Sequence, residues 1–177
     1  MAQLPLRHYN DPVLRKQALP IEKITPDIEQ LARDMIETMI QKHGIGLAGP
    51  QVGVLLRLFV IQEEKVGAEG QYYTCEPEVI INPTLFKPSA EKNIMVEGCL
   101  SLPGLRIEVV RPVEISIRYQ NLKGEWIEER LVDFRARMMM HENDHLNGVL
   151  TIDRMDKRER KKIEPHLQLL DKKYHPR

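Results

Sequence analysis

Residues 111–148 read RPVEISIRYQNLKGEWIEERLVDFRARMMMHENDHLNG, and the period of this stretch changes partway along. Val113, Ile115, Ile117 and Tyr119 alternate with Glu114, Ser116 and Arg118, the chain turns at Asn121–Gly124, and a second alternating run follows. Successive side chains of a strand face opposite ways, so this alternation predicts a half-buried antiparallel hairpin. From Asp133, placed as an N-cap, to Asn147 the pattern is helical, with Gly148 positioned as its stop. Strands first and a helix afterwards predict an α+β fold, with mostly antiparallel sheets packed around this helix.

Working outward, Thr25-Pro26-Asp27 supplies an N-cap, a proline at the first helical position and an acid in the first turn. Ile28, Leu31, Met35 and Met39 then share one face, which predicts an N-terminal amphipathic helix ending near Gly44. GIGLAGPQVG (44–53) is too rich in glycine and proline for a helix, and LLRLFVIQ (55–62) reads as a buried strand. Residues 63–78 are polar and read as a surface excursion. VIINP (79–83) reads as a short strand stopped by its proline.

The whole chain sets bounds on function. Its 177 residues suit one domain with a substantial core, and 26 basic residues balance 26 acidic ones. Nothing in that balance calls for DNA or an anionic membrane. The first residues, MAQLPLRHYNDPVLRK, have no apolar core suited to a signal peptide, and no run of about 18 apolar residues occurs elsewhere. A cytoplasmic protein is expected. Two cysteines, Cys75 and Cys99, make no disulfide framework, which leaves packing, metal ligation or catalysis.

Chemistry concentrates in HENDH (141–145). On a helix, positions four apart share a face, so His141 and His145 can point at one ion while Glu142, about 100° around, reaches a water beside it. A catalytic site needs a third protein ligand and an open position. A histidine six residues beyond His145 would complete one known pattern, but Thr151 stands there. Glu159 or Glu164 would complete another, from a charged tail with little chain beyond it. Cys99, in EGCLSLPG (97–104), offers a thiolate suited to a borderline-soft ion, and Gly98 beside it lets the backbone approach. Cys75, in YTCEPE, has no such surroundings and reads as an ordinary thiol.

GIGLAGPQ, EGCLS and HENDH, in that order and at these separations, resemble the three signature motifs of the peptide deformylases. These enzymes remove the formyl group from the N-terminal formylmethionine of new polypeptides. The resemblance extends from YNDPVLRK (9–16) through INP (81–83) and PGLR (103–106) to DHLNGVL (144–150). It implies Cys99, His141 and His145 as metal ligands, Glu142 as the acid/base residue, and Gln51 with the Leu100 N–H as stabilisers of the oxyanion. It also implies one divalent metal ion, Fe(II) in the cell, with Zn(II), Ni(II) or Co(II) as alternatives.

In this reading a formylmethionyl nascent peptide lies extended between Gly44-Ile45-Gly46 and Gly104–Arg106, pairing main chain to main chain. Its methionine pocket would use Ile45 and the turn before His141, where Met138 suits a thioether and Arg137 does not. Arg137 is expected either to send its charge outward along an apolar stem or to give the pocket a polar mouth. Arg106 is expected to pair with Glu97 and steady the cysteine loop, and Asp144 to act behind the ligands. Gly49 replaces the alanine usual in the family, which predicts a looser loop around Gln51, restrained by Pro50.

The domain division expected is a catalytic domain over 1–154 and a basic C-terminal tail over 155–177. From 157 to 177 eight Lys and Arg residues face three acids, a net charge of +5, with Pro165 and Pro176 interrupting the segment. Such a helical tail could dock on the ribosome through RNA, or simply present a solvated face. Two other readings stand beside the first: a zinc endopeptidase using HENDH with Glu164, and a non-catalytic, metal-stabilised RNA-binding protein.

Overall fold

The Thr25 hydroxyl accepts the Ile28 N–H and opens α1 (Pro26–Gln41), whose buried stripe is Ala32, Met35, Thr38 and Met39. This is the architecture of a computed structural model that describes residues 3–175. The glycine-rich loop then forms a short strand, β1 (Gly46–Ala48), and a 3-10 turn over Gly49–Val52 that ends at Gly53 with φ 83. Next come β2 (Leu58–Ile61), the exposed hairpin β3 (Glu64–Val66) and β4 (Tyr72–Thr74), and the longer β5 (Glu78–Phe86). A second hairpin, β6 (Lys92–Glu97) and β7 (Ile107–Pro112), is followed by β8 (Glu114–Gln120) and β9 (Trp126–Val132). The chain closes with α2 (Asp133–Leu146), α3 (Lys157–Lys162) and α4 (Glu164–Tyr174).

Five strands pair antiparallel in the order β1-β2-β5-β8-β9, and two small sheets, β3-β4 and β6-β7, flank them. The α+β class read from the sequence is therefore found. All four residues of β2 are buried because the sheet is covered on both faces. Leu58 and Val60 join Met35, Met39 and Leu47 on the α1 side, while Phe59 and Ile61 join Ile80, Ile117 and Met139 on the α2 side. A third cluster, beyond the sheet, gathers Leu14, Leu102, Leu105, Ile107, Leu167 and Leu170. Nearly every turn of α2 is buried, charged residues included, which is the burial of a central helix rather than of a surface one.

The antiparallel hairpin that the alternation predicts is found as β8 and β9, with Ile115 opposite Leu131 and Ile117 opposite Glu129. Other expectations need correction. Pro83 does not stop its strand: β5 runs on to Phe86, with the ladder slipping between Ile81 and Thr84 and Asn82 at φ 51. At such a bulge the N–H that proline lacks is not required. The polar stretch 63–78 contains a hairpin, and β2 starts only at Leu58. Asp133 is the first helical residue, at φ 49, and the N-cap is Val132, which makes no side-chain cap. The tail is helical, with Pro165 in the first turn of α4, where its missing N–H costs nothing. Pro176 lies outside the described residues. No helix is long and apolar enough to cross a membrane.

Candidate metal centre

Cys99, between β6 and β7, meets His141 and His145 of α2, and one potential ligand atom from each lies within 4.8 Å of the other two. Cys99 Sγ is 3.3 Å from His145 Nε2. Among the described residues this is the one group of three or more His, Cys, Asp or Glu side chains close enough to hold an ion. A thiolate with two imidazoles fits a borderline divalent cation and leaves a coordination position open. Cys75 stands apart, its N–H bonded to the Glu63 carbonyl on the β3-β4 hairpin. Glu164 pairs with Arg160 in the tail, so the endopeptidase completion is not assembled.

Glu142 is 5% exposed, and its Oε2 is buried with no hydrogen-bond partner. An unpaired buried carboxylate oxygen is costly, and that cost is understandable where water or substrate must be engaged. Burial pushes the Glu142 carboxyl up to about 7; His141 and Arg111 oppose the rise, and Glu97 and Asp144 add to it. Gly46 is what admits this side chain, since a Cβ there would stand 2.3 Å from Glu142 Oε1.

Gln51, in the 3-10 turn, is held at both ends of its amide. Its Oε1 accepts the Ala48 N–H at 2.8 Å, while Nε2 lies 3.2 Å from Ser101 Oγ and 3.6 Å from Cys99 Sγ. Leu100 packs its side chain into the α1-side core and against Gly44, whose missing Cβ would be 2.8 Å from Leu100 Cδ1. At Gly49 an alanine Cβ would lie 2.8 and 2.9 Å from the Val54 and Leu56 carbonyl oxygens. The turn thus closes tightly over Gly49, and a methyl here would need the backbone to shift.

Behind Cys99, His141 and His145 sits a buried ionic network that the sequence only hinted at. His141 Nδ1 is 2.9 Å from Glu97 Oε2, which leaves its other ring nitrogen for the centre. Arg111 donates twice to Glu97, at 2.7 and 2.9 Å, and once to Asp144 at 2.9 Å. Burial alone would raise the Glu97 carboxyl, but hydrogen bonds from Arg111 and His141 hold it far below the usual carboxylate range. For His141 burial opposes a charge, yet Cys99 and Glu97 beside it lift its pKa well above the ordinary value; burial and the charge of His141 push His145 well below.

Two site expectations are revised by this network. Arg137 sends its charge neither outward nor into a pocket mouth: at 3% exposure it donates to Glu97 Oε1 at 2.7 Å, to the Val109 carbonyl and to Asn93. Arg111, not Arg106, pairs with Glu97, while Arg106 lies over Gly98, with Nη1 3.4 Å from where a Cβ would be. Met138 is 4% exposed and Ile45 43% exposed, so of the expected pocket residues only Ile45 is open to solvent. Asp144 lies in this network, bound by Arg111 and Arg154.

The N-terminal segment also reaches the site, which sequence reading did not anticipate. The Arg7 N–H bonds the Gln51 carbonyl at 2.7 Å and the Tyr9 N–H the Ser101 carbonyl at 3.0 Å, so one short strap joins both loops.

Comparison with known proteins points to one family. Residues 3–161 match the family model described as polypeptide deformylase. A peptide deformylase of Chlorobaculum parvum is 42% identical over 167 residues, covering 94% of this chain and 87% of that protein. A plant peptide deformylase structure has a TM-score of 0.87 at 36% identity, covering 98% of this chain and 92% of its own. A class I type b peptide deformylase of Acinetobacter baumannii, solved with Met-Ala-Ser bound, has a TM-score of 0.80 at 31% identity, covering 87% of this chain and 99% of its own.

Proposed function

This chain belongs to the polypeptide deformylase family, hydrolases that take formate from the N-terminus of nascent polypeptides, and from that premise we propose how its own residues share the work. Cys99, His141 and His145 hold one divalent ion, Glu142 moves the proton, and Gln51 with the Leu100 N–H faces the oxyanion. The observation that carries the reading is the pairing of that three-ligand group with a buried carboxylate whose Oε2 lacks a donor.

When bound, the ion supplies Lewis acidity, making water a nucleophile near neutral pH and polarising the formyl carbonyl. Glu142, a buried carboxyl with a free Oε2, accepts a proton from the attacking water and later returns it. As the formyl carbon becomes tetrahedral, the Gln51 amide, fixed by Ala48 and Ser101, donates toward the new charge without reorganising. The C–N bond then breaks, the proton from Glu142 goes to the leaving nitrogen, and formate and a free amine remain.

The formylmethionyl peptide lies between Gly44–Gly46 and Gly104–Arg106, as an added strand. Met-Ala-Ser bound to the Acinetobacter baumannii relative is a peptide of the kind this reaction releases. Arg137 serves through Glu97 rather than by touching substrate. The metal in the cell is Fe(II), for which the Cys-His-His set is suited as it is for Zn(II), Ni(II) and Co(II). The protein works in the cytoplasm, where nascent chains emerge. The exposed Lys157, Arg158, Lys161, Lys172 and Lys173 give α3 and α4 a basic face for ribosomal RNA.

Anaerobically purified protein should release formate from a formyl-Met peptide, and Cys99→Ala should lose both metal and activity. No release with Fe(II), Ni(II) or Co(II) would sink the reading. Ribosome binding is checked by co-sedimentation at low and high salt, with loss of pelleting in salt expected.

A further inference from the structure

α4 carries His166 to the turn that follows the cysteine loop. The Leu105 N–H bonds the Leu102 carbonyl at 3.2 Å, and Gly104 has φ 80. Proline at the first central position with positive φ at the second makes this a type II turn, in which the peptide between them is flipped relative to type I and its carbonyl is not used within the turn. His166 Nε2 lies 3.1 Å from that oxygen, the carbonyl of Pro103. A carbonyl only accepts, so Nε2 carries the proton. The ring also covers Gly104, where an added Cβ would stand 3.2 Å from His166 Cε1.

The helix that holds this ring is itself pinned. Leu167 and Leu170 are buried in the cluster that contains Leu102 and Leu105. Asn10 Nδ2 donates to Asp171 at 3.0 Å, and His175 Nε2 donates to the Tyr9 carbonyl at 2.9 Å. Pro103-Gly104 already favours type II, but glycine adopts either sign of φ, so the type I form stays within reach. A donor outside the turn, carried on a packed helix, adds to that preference and fixes where the peptide sits.

We propose that His166 is a positioning residue: by holding the Pro103 carbonyl it fixes the Pro103–Gly104 peptide, and with it the main-chain edge Gly104–Arg106 offered to the substrate. The inference rests on the reading that this edge pairs with the peptide. His166 therefore acts on binding and leaves the chemical step alone.

Steady-state kinetics of the metal-loaded protein with formyl-Met-Ala-Ser test it. His166→Ala should raise KM about fivefold, the equivalent of one neutral hydrogen bond, with kcat within about a factor of two. His166→Gln, which retains an N–H donor, should restore most of the loss. Should the alanine variant fail to fold, His166→Phe keeps the ring without the donor and should show the same rise. An unchanged KM in the donor-less variant overturns the proposal, and so does a loss that glutamine does not repair. Wild-type protein that releases no formate would instead remove the deformylase reading itself.

Discussion

Gly46 and Glu142 occupy one volume. With a Cβ on residue 46 only 2.3 Å from Glu142 Oε1, Gly46→Ala must displace the carboxylate. Because Cys99, His141 and His145, the proposed ligands, are not touched, metal content should stay as in the wild type while kcat/KM falls about a hundredfold, as misplacement of a reacting group by an ångström does. Glu142 also carries a cost in the metal-free protein. Its carboxyl lies at about 7 against an ordinary 4.5, so the charged form is the disfavoured one. Nothing is lost below pH 4.5; stability then falls as pH rises towards 7 and stays low above it, by about 3 kcal/mol from one group. Glu142→Gln should therefore match the wild type in urea denaturation at pH 4.5 and exceed it at pH 8.5. Equal stability at both values would contradict the burial argument.

At the scale of elements, the β6-β7 hairpin and α2 are joined through Arg111, which answers Glu97 on one side and Asp144 on the other. Arg111→Leu leaves two buried carboxylates short of a cation and should destabilise the fold by about 3–5 kcal/mol, measured by chemical denaturation at pH 7. Glu97 is held far below the ordinary carboxylate value, so its contribution is complete above that value and is lost on acidification. The difference between wild type and variant should accordingly shrink in acid. How well elements could be read in advance follows the same lines. HENDH was legible because helical spacing alone puts two imidazoles on one face, and β8-β9 because a strong turn separates two clean alternations. The β6-β7 hairpin was not, since its outward residues Ile94, Val96 and Val110 are apolar and exposed, which hides the usual pattern. Arg111 follows Ile107 and Val109 on the buried face of β7, and a charge at that period-two position was the available signal for the network. Arg137 misled because its position on α2 was right for a pocket while its guanidinium found Glu97.

Across the whole molecule, the site is bounded by both ends of the described chain. Residues 7–9 bond the Gln51 and Ser101 carbonyls, and α4 covers that strap: the His8 and Tyr174 rings stack at 3.6 Å, inclined by 8°. Burial, then His175, Lys173 and Lys42, lowers the His8 pKa, so its neutral form is the one that fits the stack. Stability from this contact is complete above the ordinary histidine value and declines as pH drops through the lowered one. Hydrogen exchange at the Arg7 and Tyr9 amides should therefore quicken in Tyr174→Ala at neutral pH, and in the wild type on acidification after correction for intrinsic rates. No such contact between remote segments has a short-range mark in sequence, which is why the strap could not be foreseen. It also orders events in time. Tyr9 is made before Cys99, and Tyr174 and His175 after Cys99, His141, Glu142 and His145, so the cover that α4 lays over the strap is added after all four of these side chains are in the chain.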